Sequence, residues 1–156
     1  MILFLDFDGV LHDADVYVVS KHPIMRGEGK LFEHAPLLAE ALAGRPDGRI
    51  VLATNWVPWL GFDRAKEYLL PEIRQRVIGA TWHSKGDLPR RDWISLTRFY
   101  QISTYVERHH LHDWIALDDD DEAWPARFQS HLVHCLDDSK GLSDPETYAR
   151  LLEKLA

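Results

Sequence analysis

Asp6 and Asp8 stand two residues apart, with Gly9 behind them, in the stretch LFLDFDGVLH from Leu3 to His12. Paired carboxylates beside a glycine suit acid/base chemistry or the binding of a hard cation. The plain alternative is a surface turn, because Asp-Gly is a common turn pair. Two further polar sets end apolar runs. Thr54 and Asn55 close IVLATN, and Asp118 and Asp119 open the acidic run at the end of IALDDDD.

The elements that must hold these residues alternate along the chain. Ile2–Leu5 is short, apolar and rich in β-formers, so it reads as a buried strand running into Asp6. On a strand, residues two apart face the same way, which would aim Asp6 and Asp8 into one site. Val16–Ser20 reads as a short strand followed by the turn-rich KHPIMRGEGK. Residues 35–43 read as a helix with Pro36 in its first turn. Ile50–Ala53 reads as a second buried strand, 57–69 as a helix, and Arg76–Thr81 as a third strand. Lys85–Arg91 reads as a basic loop. The spacing of Leu96, Phe99, Ile102 and Val106 predicts a helix over 93–109. Asp113–Leu117 and Leu132–Leu136 read as the fourth and fifth strands, with Val16–Ser20 in an excursion outside that count. In the last helix Ser143 and Glu146 are read as a capping box with Pro145 in the first turn, ahead of Tyr148, Leu151, Leu152 and Leu155. Short apolar strands alternating with helices are the signature of a parallel sheet covered on both faces. Ligands bind such sheets beyond the carboxyl ends of the strands. Asp6 and Asp8, Thr54 and Asn55, and Asp118 and Asp119 all fall at those ends, which argues against scattered turn acids.

Composition narrows the classes. The chain has 156 residues, a length that suits one domain, and is 46% hydrophobic, 28% charged and −7 in net charge. No apolar run approaches the ~20 residues of a membrane span, and the start lacks a signal-peptide pattern. The single cysteine, Cys135, lies in an apolar run and reads as a small core residue, consistent with a reducing cytoplasm. The acidic balance argues against a general nucleic-acid coat but leaves room for a local basic groove. The histidines show no metal-ligand spacing, and His109, His110 and His112 read as a helix-end cluster. His12 follows the two acids closely enough to touch a substrate. The tryptophans read first as core. Trp56, Trp59 and Trp82 are alternatively a stacking platform, with His83, Lys85 and Arg90 beside Trp82 as a basic patch.

With DFDGVL, IVLATN and IALDDDD in that order, the sequence resembles the haloacid dehalogenase-like (HAD) superfamily of phosphohydrolases and phosphotransferases. The phrases LATNW, IGAT, RFYQISTYVERH, WIALDDD and GLS are similar to a small capless HAD group known from Swiss Army Knife RNA-repair proteins. The resemblance implies a Rossmann-like three-layer α/β sandwich on a mainly parallel five-stranded sheet, as a single domain over residues 1–156. The gap from Leu11 to the helix at residue 35 is too short for a substantial cap domain. An open site suits bulky substrates.

The resemblance also implies roles. Asp6 is the nucleophile, forming an aspartyl-phosphate. Asp8 is the general acid and then base, and offers its backbone carbonyl to a metal. Thr54, with Asn55 beside it, binds phosphate oxygens, although either residue is equally a plain helix N-cap. Gly9 admits the phosphate close to the backbone. Arg98 neutralises phosphoryl charge, with Lys85, Arg90 and Arg91 as competitors. Asp6, Asp8, Asp118 and Asp119 form the ligand set for Mg²⁺, with either of the last two as the direct ligand. Asp120, Asp121 and Glu122 read as a solvated run. The implied function is a cytoplasmic Mg²⁺-dependent phosphomonoester hydrolase. The alternatives are a polynucleotide end phosphatase and a HAD-fold binding or regulatory module with weak turnover.

Overall fold

The computed structural model describes residues 1–86 and 88–156. Asp87, within the Lys85–Arg91 loop, lies outside the described residues. Five strands form one parallel sheet in the order β5-β4-β1-β6-β7. These are β1 (Ile2–Leu5), β4 (Arg49–Leu52), β5 (Val77–Ala80), β6 (Trp114–Asp118) and β7 (Leu132–His134). β1 is central: Leu5 pairs with Leu52 on one side and with Leu117 on the other. That register brings the residues that follow these strands to one level at the sheet's carboxyl edge.

The strands are apolar on both faces because helices cover both. Leu3, Leu5, Ile50, Leu52, Ile115 and Leu117 face one side and pack with α1 (Ala35–Ala43), α2 (Trp56–Leu60) and α7 (Pro145–Leu155). Phe4, Val51, Trp114 and Ala116 face the other and meet Ile102 and Tyr105 of α6 (Arg98–Arg108). The result is the expected three-layer α/β sandwich. Cys135 is buried in the first of these clusters, as expected of a small core residue.

Four local expectations are corrected. The turn-rich stretch after Val19 contains β3 (His22–Met25), which pairs antiparallel with β2 (Val16–Val19). Between β1 and α1 the described residues form this hairpin and connecting turns, so no large cap is evident. The helix read over 57–69 is broken into α2 and α3 (Phe62–Glu67) at Gly61, whose φ of 94° no helix allows. A separate turn, α4 (Pro71–Arg74), follows Leu70, which is extended as the residue before a proline must be. The helix read over 93–109 is split into α5 (Arg90–Ile94) and α6. Thr97 caps α6 by accepting from the Tyr100 amide, which makes Arg98 its first residue. The last helix is capped by Asp144 rather than Ser143. Asp144 Oδ2 accepts from Thr147 N at 3.0 Å, while Ser143 lies in a 3₁₀ turn and donates to Lys140 O.

Candidate active site

β1, β4 and β6 end side by side, and each delivers polar residues to the same edge. Asp6 N donates to Leu117 O and Ala53 N donates to Leu5 O, so the chain stays in register one residue past the strands. Asp6 follows β1, Asp118 ends β6, and Thr54 lies just past β4; all three side chains are buried. Among the described residues, Asp6, Asp118 and Asp119 are the group of acids and histidines that is arranged to hold a metal. Their ligand oxygens lie within 4.8 Å of one another.

Arg98 enters this cluster from the first turn of α6. Its Nη1 lies 3.3 Å from Asp6 Oδ1 and 3.3 Å from Asp118 Oδ2, and it donates to Ala53 O. The break that starts α6 at Thr97 is what puts the guanidinium here. Lys85, Arg90 and Arg91 are exposed on the neighbouring loop and helix. A buried charge is costly unless it is paired, and Arg98 is 8% exposed. Burial works against its charge, but Asp118 and Asp6 outweigh that and hold its pKa above the ordinary value.

One guanidinium does not balance three crowded carboxylates. Burial pushes the Asp6 carboxyl above the usual range; Arg98 offsets part of this and Asp8 adds to it. Burial raises Asp118 well above its ordinary value, Arg98 offsets part, and Asp6 reinforces the rise. Asp119 is pushed up to about 7, first by burial and then by the charge of Asp6. Asp118 Oδ2 is buried without a hydrogen-bond partner, because its contact with Arg98 has ion-pair distance but not hydrogen-bond alignment. Excess negative charge and an orphaned carboxylate oxygen are what a hard divalent cation relieves, so the residues present fit one. Asp119 is seated by Gly9. A Cβ on Gly9 would lie 2.2 Å from Asp119 Oδ2, and its φ of 76° already favours glycine. In this structure Gly9 therefore makes room for a carboxylate.

Asp8 does not join that cluster. β1 stops at Leu5, and the chain then coils, with Val10 N and Leu11 N both donating to Phe7 O. Strand periodicity no longer applies past Leu5, so the shared face expected of Asp6 and Asp8 is replaced by two neighbouring positions. Asp6 sits inside the cluster and Asp8 at its rim, with the Asp8 side chain 36% exposed. Asp8 Oδ1 accepts from His12 Nε2 at 2.8 Å and from Trp56 Nε1 at 2.9 Å. His12 is fully buried, so it supports Asp8 from below and does not reach a substrate. Trp56 is core, as the plainer reading of the tryptophans has it, and yet it donates to Asp8. Neither partnership had a sequence signal, because Trp56 is 48 residues away and His12 lies in a loop without a period.

Thr54 Oγ1 accepts from Trp56 N at 3.2 Å, which leaves its hydroxyl hydrogen free to donate. Asn55 makes no capping bond and lines a cavity of about 310 Å³ with Asp8, Tyr17 and Trp59. The acidic run beyond Asp119 turns outward: Asp120 accepts from Glu122 N, and Asp121 faces His134 at 3.7 Å. His109 stacks on Tyr105.

Residues 2–147 match the family model of the HAD domain in Swiss Army Knife RNA repair proteins. The chain belongs to this HAD family. Comparison with curated proteins and with solved structures gives no match. HAD domains are generally hydrolases and usually depend on Mg²⁺, and this HAD chain has an acid cluster that could hold a metal ion. None of its described helices is long and apolar enough to cross a membrane.

Proposed function

We propose that the chain is a Mg²⁺-dependent phosphomonoester hydrolase that works through an aspartyl-phosphate on Asp6. The observation that carries this reading is the buried Asp6–Asp118–Asp119 cluster with Arg98 at the carboxyl edge of the sheet. Asp6, Asp118 and Asp119 would hold the cation, with the Asp8 backbone carbonyl as a further ligand. Bound there, the ion offsets carboxylate and phosphoryl charge so that an anion can approach an anion.

The chain's own residues account for the rest. A carboxylate oxygen of Asp6 attacks phosphorus as the bond from phosphorus to the leaving oxygen breaks. Asp8 gives its proton to that oxygen, and the alcohol departs. Asp8, now a carboxylate, takes a proton from water as the water oxygen attacks phosphorus. The bond to Asp6 breaks, inorganic phosphate leaves, and both acids return to their starting states. Arg98 faces the charge that builds on the phosphoryl oxygens, and the Thr54 hydroxyl donates to one of them.

The direct test is release of phosphate from 4-nitrophenyl phosphate. The release should require Mg²⁺ and be abolished by Asp6→Asn. A wild type inert across phosphomonoesters, oligonucleotide ends included, would overturn the reading and favour a binding module.

A second reading, a polynucleotide end phosphatase, is favoured by one surface. Trp59 is 44% exposed and lines both the cavity at Asp8 and a cavity of about 660 Å³ bordered by Trp82, Arg90 and Arg91. The Arg90 guanidinium lies 5.4 Å from the centre of the Trp59 ring. An exposed indole, Trp59, and a half-buried one, Trp82, beside arginines suit a stacked base and its phosphate. A kcat/KM for 3′- or 5′-phosphorylated oligonucleotides at least tenfold above that for sugar phosphates would support it; equal values would remove it.

A further inference from the structure

We propose that His12 and Trp56 are positioning residues that clamp Asp8, forcing its acidic proton onto Oδ2. This rests on the hydrolase reading above and names residues to which that reading gives no part.

The argument begins with the two nitrogens of His12. Phe32 N donates to Nδ1 at 3.0 Å, so Nδ1 carries no hydrogen. The ring hydrogen is therefore on Nε2, and that nitrogen donates to Asp8 Oδ1 at 2.8 Å. Trp56 Nε1 is a donor only, and it donates to the same oxygen at 2.9 Å. Oδ1 thus has both lone pairs engaged by N–H groups. A neutral Asp8 must carry its hydrogen on Oδ2, which has no hydrogen-bond partner among the described residues. Asp8 borders the 310 Å³ cavity, and with Oδ1 engaged, Oδ2 is the oxygen left to meet a leaving group. An unclamped carboxyl would divide its proton between two oxygens and several rotamers, and general-acid catalysis is sensitive to such misplacement.

The clamp is held rigid from behind. His12 meets Phe32 edge-on at 4.8 Å, and Trp56 packs edge-on against Phe7, Phe32 and Tyr68. Phe32 has a φ of 60°, a costly conformation for a bulky residue, and from it the Phe32 amide reaches His12. A histidine with both nitrogens engaged and a tryptophan tied to the same carboxylate oxygen are a more specific arrangement than packing alone requires.

The test uses leaving groups of graded need for a proton. 4-Nitrophenyl phosphate needs little protonation of its leaving oxygen; benzyl phosphate needs full protonation. Trp56→Phe keeps an aromatic ring and deletes the donor, and His12→Phe keeps a ring and deletes the donor to Asp8 together with the acceptor for Phe32. For each variant, kcat/KM on benzyl phosphate should fall about tenfold to a hundredfold while kcat/KM on 4-nitrophenyl phosphate falls less than about threefold, because kcat/KM reports the step in which the leaving group departs and not the shared hydrolysis of the aspartyl-phosphate. In an Asp8→Asn background, Trp56→Phe should have no further effect on benzyl phosphate. Should His12→Phe fail to fold, Trp56→Phe alone decides. Losses of equal size on both substrates, or none, overturn the clamp while leaving the hydrolase reading intact. A wild type inert on both substrates removes the hydrolase reading, and the clamp falls with it.

Discussion

At the scale of single residues, the site is defined by charge that the protein does not balance by itself. Asp119 shows the consequence. Its carboxyl is pushed up to about 7 in the folded chain, well above its ordinary range, because burial and Asp6 disfavour the anion. A raised folded pKa on an acid means that the folded state binds more protons, so stability is full at low pH and lost as pH rises. In chelator, the stability of wild type relative to Asp119→Asn should therefore fall as pH is raised from the ordinary carboxylate range to about 7. Thermal melts across that range check this, and a difference that stays flat would refute it. Arg98 gives the converse case. Arg98→Met would leave Asp6 and Asp118 buried without their cation, and should destabilise the chelated protein by about 3–5 kcal/mol in urea titrations. Both acids were legible in the sequence as strand-end residues. The partners of Asp8 were not, because a hydrogen bond across 48 residues leaves no local pattern.

At the scale of elements, the strands were legible because buried parallel strands are short and apolar almost throughout. Helix ends were less so. Two continuous helices read from periodicity are each broken in the structure, one at Gly61 and one between Ser95 and Thr97. Periodicity counts apolar spacing and does not register a backbone kink that keeps the same face inward. The second break has chemical weight, since it makes Arg98 the first residue of α6 and points it at the acids. The cap of α7 is a smaller case. Ser-x-x-Glu is the commoner box pattern, yet Asp144 takes the capping position because the 3₁₀ turn carries Ser143 past it. Asp144→Ala should cost about 1 kcal/mol and Ser143→Ala less than about half of that in denaturant titrations. The reverse order would return the cap to Ser143.

At the scale of the whole molecule, the chain covers its sheet on both faces and leaves the carboxyl edge open behind one small hairpin, β2–β3. Binding of a divalent cation at that edge should stabilise the whole fold, since only the folded chain brings Asp6, Asp118 and Asp119 together. Mg²⁺ at a hundred times its Kd would contribute about 2.7 kcal/mol. That corresponds to a rise in Tm of roughly 5–10 °C, which Asp118→Asn should lose. An unchanged wild-type Tm in Mg²⁺ would count against the cluster as a metal site. The sequence by itself determined the layered α/β plan, the parallel strands and the strand ends at which polar residues gather, because hydrophobic periodicity and strand length are local properties. Tertiary structure alone decided which acids converge and which stands apart. It set Asp6, Asp118 and Asp119 around Arg98, gave Asp119 its place over Gly9, and handed Asp8 to His12 and Trp56. Those outcomes depend on where the chain coils after Leu5 and where α6 begins, and distances between segments far apart in sequence exist only once the sheet has brought them together.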